Sequence, residues 1–72
     1  MRVVQVGMGG AGRVWAADCV PEIEDVELVG CVDRDAEALK LTQAEVGVPE
    51  ERCYTSFSAA LDELDPDAVL IT

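Results

Sequence analysis

Four apolar runs alternate along the chain with longer segments of mixed polarity. The runs are RVVQV (2–6), VELVGCVD (26–33), a short one over Cys53–Thr55, and AVLIT (68–72). Apolar, β-branched runs of this length, bounded by Gly, Pro or Asp, predict buried strands. Because the apolar positions are continuous rather than alternating, we expect helices on both faces of the sheet, as is typical of parallel sheets.

The segment between the first two runs predicts a helix. Ala11, Trp15 and Cys19 recur every four residues, Val14 lies beside them, and Pro21 marks the end. This spacing places the four apolar residues in one stripe along the helix. We therefore expect Trp15 to pack against the sheet.

Two further helices are predicted in the second half of the chain. The first follows Asp35 as its cap, carries a stripe of Ala36, Leu39, Gln43 and Val46 at three- to four-residue spacing, and stops at Gly47 and Pro49. The other is capped by Ser56 or Ser58, passes through Ala60, Leu61 and Leu64, and ends at the turn Asp65-Pro66-Asp67. The order β-α-β-α-β-α-β predicts an α/β fold, the first half of a doubly wound Rossmann sheet with strand order 3-2-1-4.

Charge and composition exclude several classes of partner. The net charge is −10, and residues 1–17 contain no acid. Such acidity argues against nucleic acid and anionic membranes as partners. No apolar run approaches the ~20 residues of a membrane span, and the amino terminus lacks a signal-peptide pattern. Cys19, Cys31 and Cys53 lack metal-binding spacing and there is no His, so we expect reduced thiols, no metal and a cytoplasmic location.

The glycine cluster after the first run has the spacing G-x-G-x-x-G at Gly7, Gly9 and Gly12. Between a strand and a helix, this motif is typical of dinucleotide binding. Gly7 permits the tight turn, Gly9 lets the backbone approach a pyrophosphate, and Gly12 lets helix and strand pack closely. The N–H groups of Gly10, Ala11 and Gly12 can bind phosphate oxygens at the helix start. The alternative is a structural turn without a ligand.

Asp33 lies 21 residues after Gly12, at the end of the second predicted strand. A carboxylate there can accept hydrogen bonds from the ribose hydroxyls of adenosine, which favours NAD. Arg34 could instead hold the 2′-phosphate of NADP or lie over the adenine, so NADP stays possible. An S-adenosylmethionine site would more typically have an acid where Gln5 stands, and an FAD site a Glu where Asp33 stands.

Three segments resemble the amino-terminal half-Rossmann domain of the Gfo/Idh/MocA family (glucose–fructose oxidoreductase and inositol dehydrogenase). They are VGMGGAGRVWA, PEIEDVELVGCVDRDAEA and YTSFSAALDELDPDAVLIT, and they span essentially the whole chain. The resemblance implies an NAD(P)-dependent dehydrogenase that transfers a hydride between nicotinamide and a sugar, cyclitol or related polyol. It also implies homo-oligomers and a separate substrate domain absent from this chain. We therefore expect residues 1–72 to be a truncated dinucleotide-binding domain.

The resemblance also implies the site residues. The loop from Gly7 to Arg13 would hold the pyrophosphate, and Asp33 and Arg34 would contact the adenosine ribose. Ile71 and Thr72 would line the path of the cofactor toward the nicotinamide. The loop residues are Gly7, Met8, Gly9, Gly10, Ala11, Gly12 and Arg13. The family's catalytic lysine follows the next strand, so no catalytic residue is assigned here. Trp15 stands where relatives often have His, and its role stays open.

Two other functions share these features. One is a non-enzymatic Rossmann module that senses NAD(H), and the other is a dehydrogenase of another class that acts on an amino-acid intermediate. The segment D-R-D at residues 33–35 and the segment PDAVLIT at residues 66–72 favour the polyol enzyme over the latter.

Overall fold

The computed structural model describes all residues from 1 to 72 and contains one four-stranded sheet. Its strands are β1 (Arg2–Val6), β2 (Glu27–Val32), β3 (Cys53–Tyr54) and β4 (Ala68–Ile71). All neighbouring strands are parallel and their order is β3-β2-β1-β4. The predicted fold class and strand order are therefore confirmed.

The helical segment after β1 changes its geometry twice. It begins as α1 (Gly10–Val14), continues as a π-helical turn (Trp15–Cys19) and ends as a 3₁₀ turn (Val20–Glu22). Its buried residues are Gly12, Ala16 and Val20.

The predicted apolar stripe on this segment is wrong. Ala11 is exposed, Val14 and Trp15 are 54% and 45% exposed, and Cys19 is only half-buried. The reason is steric, because the helix approaches the loop after β1 along the side that carries Gly12. Small residues on that side permit close packing, and the bulky Trp15 is turned away from the sheet.

Helix α2 (Ala36–Val46) has the predicted ends. The Asp35 carboxylate accepts a hydrogen bond from Glu37 N at 3.0 Å, and Gly47 ends the helix with a left-handed φ of 85°. Its buried residues are Ala38, Leu39 and Thr42.

The predicted stripe on α2 is correct at Leu39 and wrong at Ala36, which is exposed. Thr42 takes the fully buried position and Gln43 is half-buried. A polar threonine is tolerated there because its hydroxyl donates to Ala38 O at 2.8 Å.

Helix α3 (Phe57–Leu64) packs on the opposite face of the sheet. Ser56 caps it by accepting from Ala59 N at 3.2 Å, and Asp65 ends it in the left-handed region. A Cβ at Gly30 of β2 would overlap the Leu64 side chain. The glycine therefore allows α3 to lie close against β2.

Two core clusters cover the two faces of β1 and β2. The α1/α2 face holds Met8, Ala16, Cys31, Ala38 and Leu39, and the α3 face holds Val4, Val29, Val32 and Ala60. Strand β4 is less covered, since Val69 is 38% and Ile71 is 77% exposed. None of the helices has the length and apolar character needed to cross a membrane.

Candidate dinucleotide-binding site

The candidate site lies at the carboxyl ends of β1 and β2, where the chain turns into α1. Gly7 forms this turn with a φ of 95°, and its N–H donates to Val32 O at 2.9 Å. A Cβ at Gly7 would overlap the carbonyl oxygen of Thr72 after β4. The backbone conformation and the neighbouring strand therefore both require glycine here.

The other glycines of the loop divide into two kinds. A Cβ at Gly12 would overlap the Gly7 carbonyl, whereas a Cβ at Gly9 or Gly10 would meet no atom within 4 Å. Gly9 has a φ of −66°, which any residue can adopt. We call Gly7 and Gly12 the floor of the glycine loop, and Gly9 and Gly10 its rim. The fold requires the floor glycines but not the rim glycines.

The start of α1 is free of competing side chains. Gly9 is its N-cap, no side chain accepts from the first N–H groups, and the first turn contains no acid. Amide groups at a helix start have no partner within the helix, and together with the helix dipole they favour an anion. The start of α1 therefore has bare backbone N–H groups that can bind a phosphate group.

The peptide groups of Met8 are held from two sides. Its N–H donates to Asp33 Oδ2 at 2.7 Å, and its carbonyl accepts from an Arg13 guanidinium nitrogen at 2.9 Å. Arg13 Nε also pairs with Glu45 Oε1 of α2 at 3.0 Å. The Arg13 side chain thus contacts the backbone of the loop at Met8 and the side chain of Glu45 on α2. The Met8 side chain is fully buried in the core.

Asp33 stands between the loop and the following turn. Besides the bond from Met8, its Oδ1 accepts from Asp35 N at 2.8 Å. A carboxylate offers about four acceptor positions, so each oxygen can accept one more hydrogen bond. These backbone donors fix the orientation of the carboxylate before any ligand arrives.

A cleft of about 480 Å³ adjoins this carboxylate. It brings together the predicted residues Gly7, Asp33 and Arg34 with two residues that sequence reasoning missed, Thr55 and Phe57. Phe57 is 44% exposed. Thr55 and Phe57 follow β3, and the carboxyl ends of parallel strands share one edge of the sheet. The segment TSF after the third apolar run could therefore have indicated them.

The end of β4 contacts the glycine loop through Thr72. Its N–H donates to Val6 O at 2.9 Å and its hydroxyl donates to Gly7 O at 2.7 Å. Ile71 pairs in register with Val6, and its side chain is exposed. Of the two residues predicted for the site at the end of β4, Ile71 and Thr72, it is Thr72 that touches the loop directly.

The thiols of β2 and β3 lie outside this site. Cys31 and Cys53 are register partners in neighbouring strands. Burial, with a smaller effect of Cys53, raises the pKa of Cys31 to about 12, and burial also raises the pKa of Cys53. These raised pKa values favour the protonated thiol over the reactive thiolate near neutral pH. No three His, Cys, Asp or Glu side chains lie close enough together to hold a metal ion.

Comparisons with known proteins agree with this geometry. A protein of Sinorhizobium fredii, the uncharacterized protein y4oX, is 35% identical over an alignment of 69 residues, and the match covers 92% of this chain and 19% of that protein. Apo scyllo-inositol dehydrogenase from Lactobacillus casei superposes with a TM-score of 0.79 at 25% identity, over 100% of this chain and 21% of that one. The same enzyme with bound NAD(H) and scyllo-inositol gives the same values.

The chain therefore spans about a fifth of the length of these relatives. A family model described as an oxidoreductase family with an NAD-binding Rossmann fold matches residues 1–72. The resemblance noted in the sequence is thereby confirmed along the whole chain. This chain belongs to the Gfo/Idh/MocA oxidoreductase family and has its NAD-binding Rossmann fold.

Proposed function

We propose that this chain binds NAD(H) as the dinucleotide-binding domain of a dehydrogenase that acts on a polyol, cyclitol or sugar. One observation supports this above the others: the Met8 N–H donates to the Asp33 carboxylate at 2.7 Å. This bond holds the Asp33 carboxylate, the acceptor proposed for the ribose, next to the rim of the glycine loop. An acceptor for ribose hydroxyls and donors for pyrophosphate therefore adjoin one another, as a dinucleotide requires.

The proposed roles follow from this arrangement. The amides of Gly10, Ala11 and Gly12 would bind the pyrophosphate, with Gly9 leaving space for its approach. Met8 and Arg13 would hold the loop, since the Arg13 guanidinium supports the Met8 carbonyl. Asp33 would accept from the adenosine ribose, and Arg34 would border the adenosine together with Thr55 and Phe57, which line the same cleft. Ile71 and Thr72 would lie on the path toward the nicotinamide.

NAD rather than NADP is proposed because of the charge at the ribose position. The oriented carboxylate of Asp33 would repel a 2′-phosphate. The one cation of the cleft, Arg34, is exposed and makes no ion pair. A preference for NADPH would instead indicate that Arg34 binds the 2′-phosphate on the adenosine ribose.

The bound nicotinamide would supply the hydride acceptor or donor, and this chain would supply binding and orientation. A polyol substrate is proposed because the Lactobacillus casei enzyme binds scyllo-inositol. We also propose that the longer polypeptide contains a substrate domain and forms homo-oligomers. A cytoplasmic location is proposed because all three cysteines are free. An NAD(H) sensor would share the binding site, and only polyol turnover by the longer polypeptide would distinguish the enzyme.

The test is a titration of the folded chain with NADH and NADPH. Folding is checked by circular dichroism, and binding is followed by energy transfer from Trp15, the single tryptophan, to the reduced nicotinamide. We expect saturable binding of NADH that is tighter than that of NADPH. Asp33→Asn should weaken NADH binding about ten-fold, a loss of about 1.4 kcal/mol, and narrow the preference over NADPH.

The matched control is Asp62→Asn, which removes the same charge from an exposed position of α3. It should leave both affinities unchanged, because Asp62 does not line the cleft. A folded chain that binds neither nucleotide would contradict the proposal. If Asp33→Asn bound NADH as tightly as Asp62→Asn does, the proposed role of Asp33 in binding the ribose would be wrong.

A further inference from the structure

We infer that Gln5, in the middle of β1, is a positioning residue that holds the glycine loop in the conformation that binds the dinucleotide. The inference rests on the proposed function. Gln5 is fully buried in a strand whose other central residues, Val3 and Val4, are apolar. Its Nε2 donates to Gly12 O at 2.7 Å and to Thr72 Oγ1 at 3.2 Å.

These hydrogen bonds have only one possible direction. The Gly12 carbonyl can only accept, so the amide nitrogen of Gln5 must face it. Thr72 has one hydroxyl proton, which it donates to Gly7 O at 2.7 Å, so this hydroxyl accepts from Gln5. Gln5 is thus joined directly to Gly12 and, through Thr72, to Gly7. These are the two floor residues of the glycine loop.

The carbonyl that Gln5 contacts lies close to a change in helix geometry. Gly12 O also accepts from Trp15 N, and the π-helical turn begins at Trp15. A side chain that donates to a helix carbonyl competes with the amides of the helix for that carbonyl. π-Helical turns are frequent at functional sites. Gln5 therefore contacts α1 at Gly12, the last of the three proposed phosphate donors.

Stability alone does not explain an amide at this position. Gln5 Oε1 is buried without a hydrogen-bond partner, which costs stability. If Met replaced Gln5, this unpaired atom would be removed. Gly12 O would keep the bond from Trp15 N, and the Thr72 hydroxyl would keep its bond to Gly7 O. An apolar residue would thus be compatible with the fold. It would lack only the hydrogen bonds by which Gln5 joins Gly12 to Thr72.

The test compares unfolding and NADH binding in Gln5→Met. Urea unfolding should show a stability equal to or above that of the unchanged chain. The Kd for NADH should rise about ten-fold, as expected when one or two ordering hydrogen bonds are lost. Without ligand, hydrogen exchange of the Gly7 amide, which donates to Val32 O, and of the Arg13 amide, which donates to Gly9 O, should become faster while that of β2 stays unchanged.

Val4→Ala is the matched control, since Val4 is the buried neighbour of Gln5 that faces α3. It should lower stability and leave the Kd of the folded fraction unchanged, which is the opposite pattern. Thr72→Val and Thr72→Ser test the same link should Gln5→Met fail to fold. Val lacks the hydroxyl and should weaken NADH binding, whereas Ser keeps it and should weaken NADH binding less than Val does.

The outcomes separate this inference from the function on which it rests. If the unchanged chain does not bind NADH, both are wrong. If the unchanged chain binds and Gln5→Met binds equally well, only the inference is wrong. It is also wrong if stability and affinity fall together in Gln5→Met, because Gln5 is then a structural residue only.

Discussion

The floor and the rim of the glycine loop differ in what requires a glycine. At the floor the requirement is internal, since a side chain at Gly7 or Gly12 would overlap the backbone of the protein itself. At the rim no protein atom lies within 4 Å of an added Cβ. The glycine loop therefore contains two glycines that the fold requires, Gly7 and Gly12, and two that it does not require, Gly9 and Gly10. The turn itself explains the glycines at the floor, whereas only a bound ligand would explain the glycines at the rim.

The largest expected effect is at the floor. Gly12→Ala would force the backbone of α1 or of Gly7 to move, because the new methyl group overlaps a carbonyl oxygen rather than a flexible side chain. We expect a loss of about 3 kcal/mol or more in the free energy of unfolding, a large part of the stability of a small domain. Urea denaturation followed by circular dichroism measures it.

Gly10→Ala is the control for that experiment, since it adds the same methyl group to the same helix in open space. Alanine is the better helix former, so stability should stay the same or rise by up to about 1 kcal/mol. If Gly10→Ala and Gly12→Ala were equally stable, the distinction between floor and rim would be wrong.

The next effect concerns the ligand and not the fold. Gly9→Ala meets no protein atom and keeps an ordinary backbone conformation. Stability should therefore change little or rise by about 0.4–1 kcal/mol, because alanine restricts the unfolded chain. The Kd for NADH should rise at least about ten-fold, since the methyl group would occupy the space through which the pyrophosphate approaches. Unchanged NADH affinity in the titration would show that the rim does not contact the ligand.

The smallest effect is expected beneath the loop. Glu45→Gln removes the charge that pairs with Arg13, and Glu45 is 52% exposed. Partly exposed ion pairs contribute little, so the free energy of unfolding should fall by less than about 1 kcal/mol, and less still in high salt.

Glu37→Gln is the matched control on the same helix, because its partner Lys40 lies 3.7 Å away and both side chains are largely exposed. It should have no measurable effect on stability. Neither variant should change NADH affinity. If Glu45→Gln alone markedly weakened NADH binding, α2 would influence the rim through Arg13. The rim would then depend on how α2 packs against the loop, and the separation of floor and rim would not hold.

Local patterns predicted most of the fold because they report local chemistry. The caps at Asp35 and Ser56 and the stop at Gly47 depend on hydrogen bonds and dihedral angles within a few residues. The strand order followed from the alternation of strands and helices with short connections. The orientation of α1 was not predictable in this way, because contact with the Gly7 carbonyl and not apolar spacing decides which face is buried.

The sequence by itself determined the half-Rossmann fold, the family and the position of the glycine motif and of Asp33 relative to the strands. The fold and these positions depend on periodicity, turn chemistry and spacing, which are properties of neighbouring residues, whereas the family follows from the resemblance of whole segments. Only the tertiary structure decided that Trp15 is exposed, that Thr55 and Phe57 line the cleft, and that Gln5 joins Gly12 to Thr72. Those contacts connect residues far apart in the chain, and close packing of the backbone selects them.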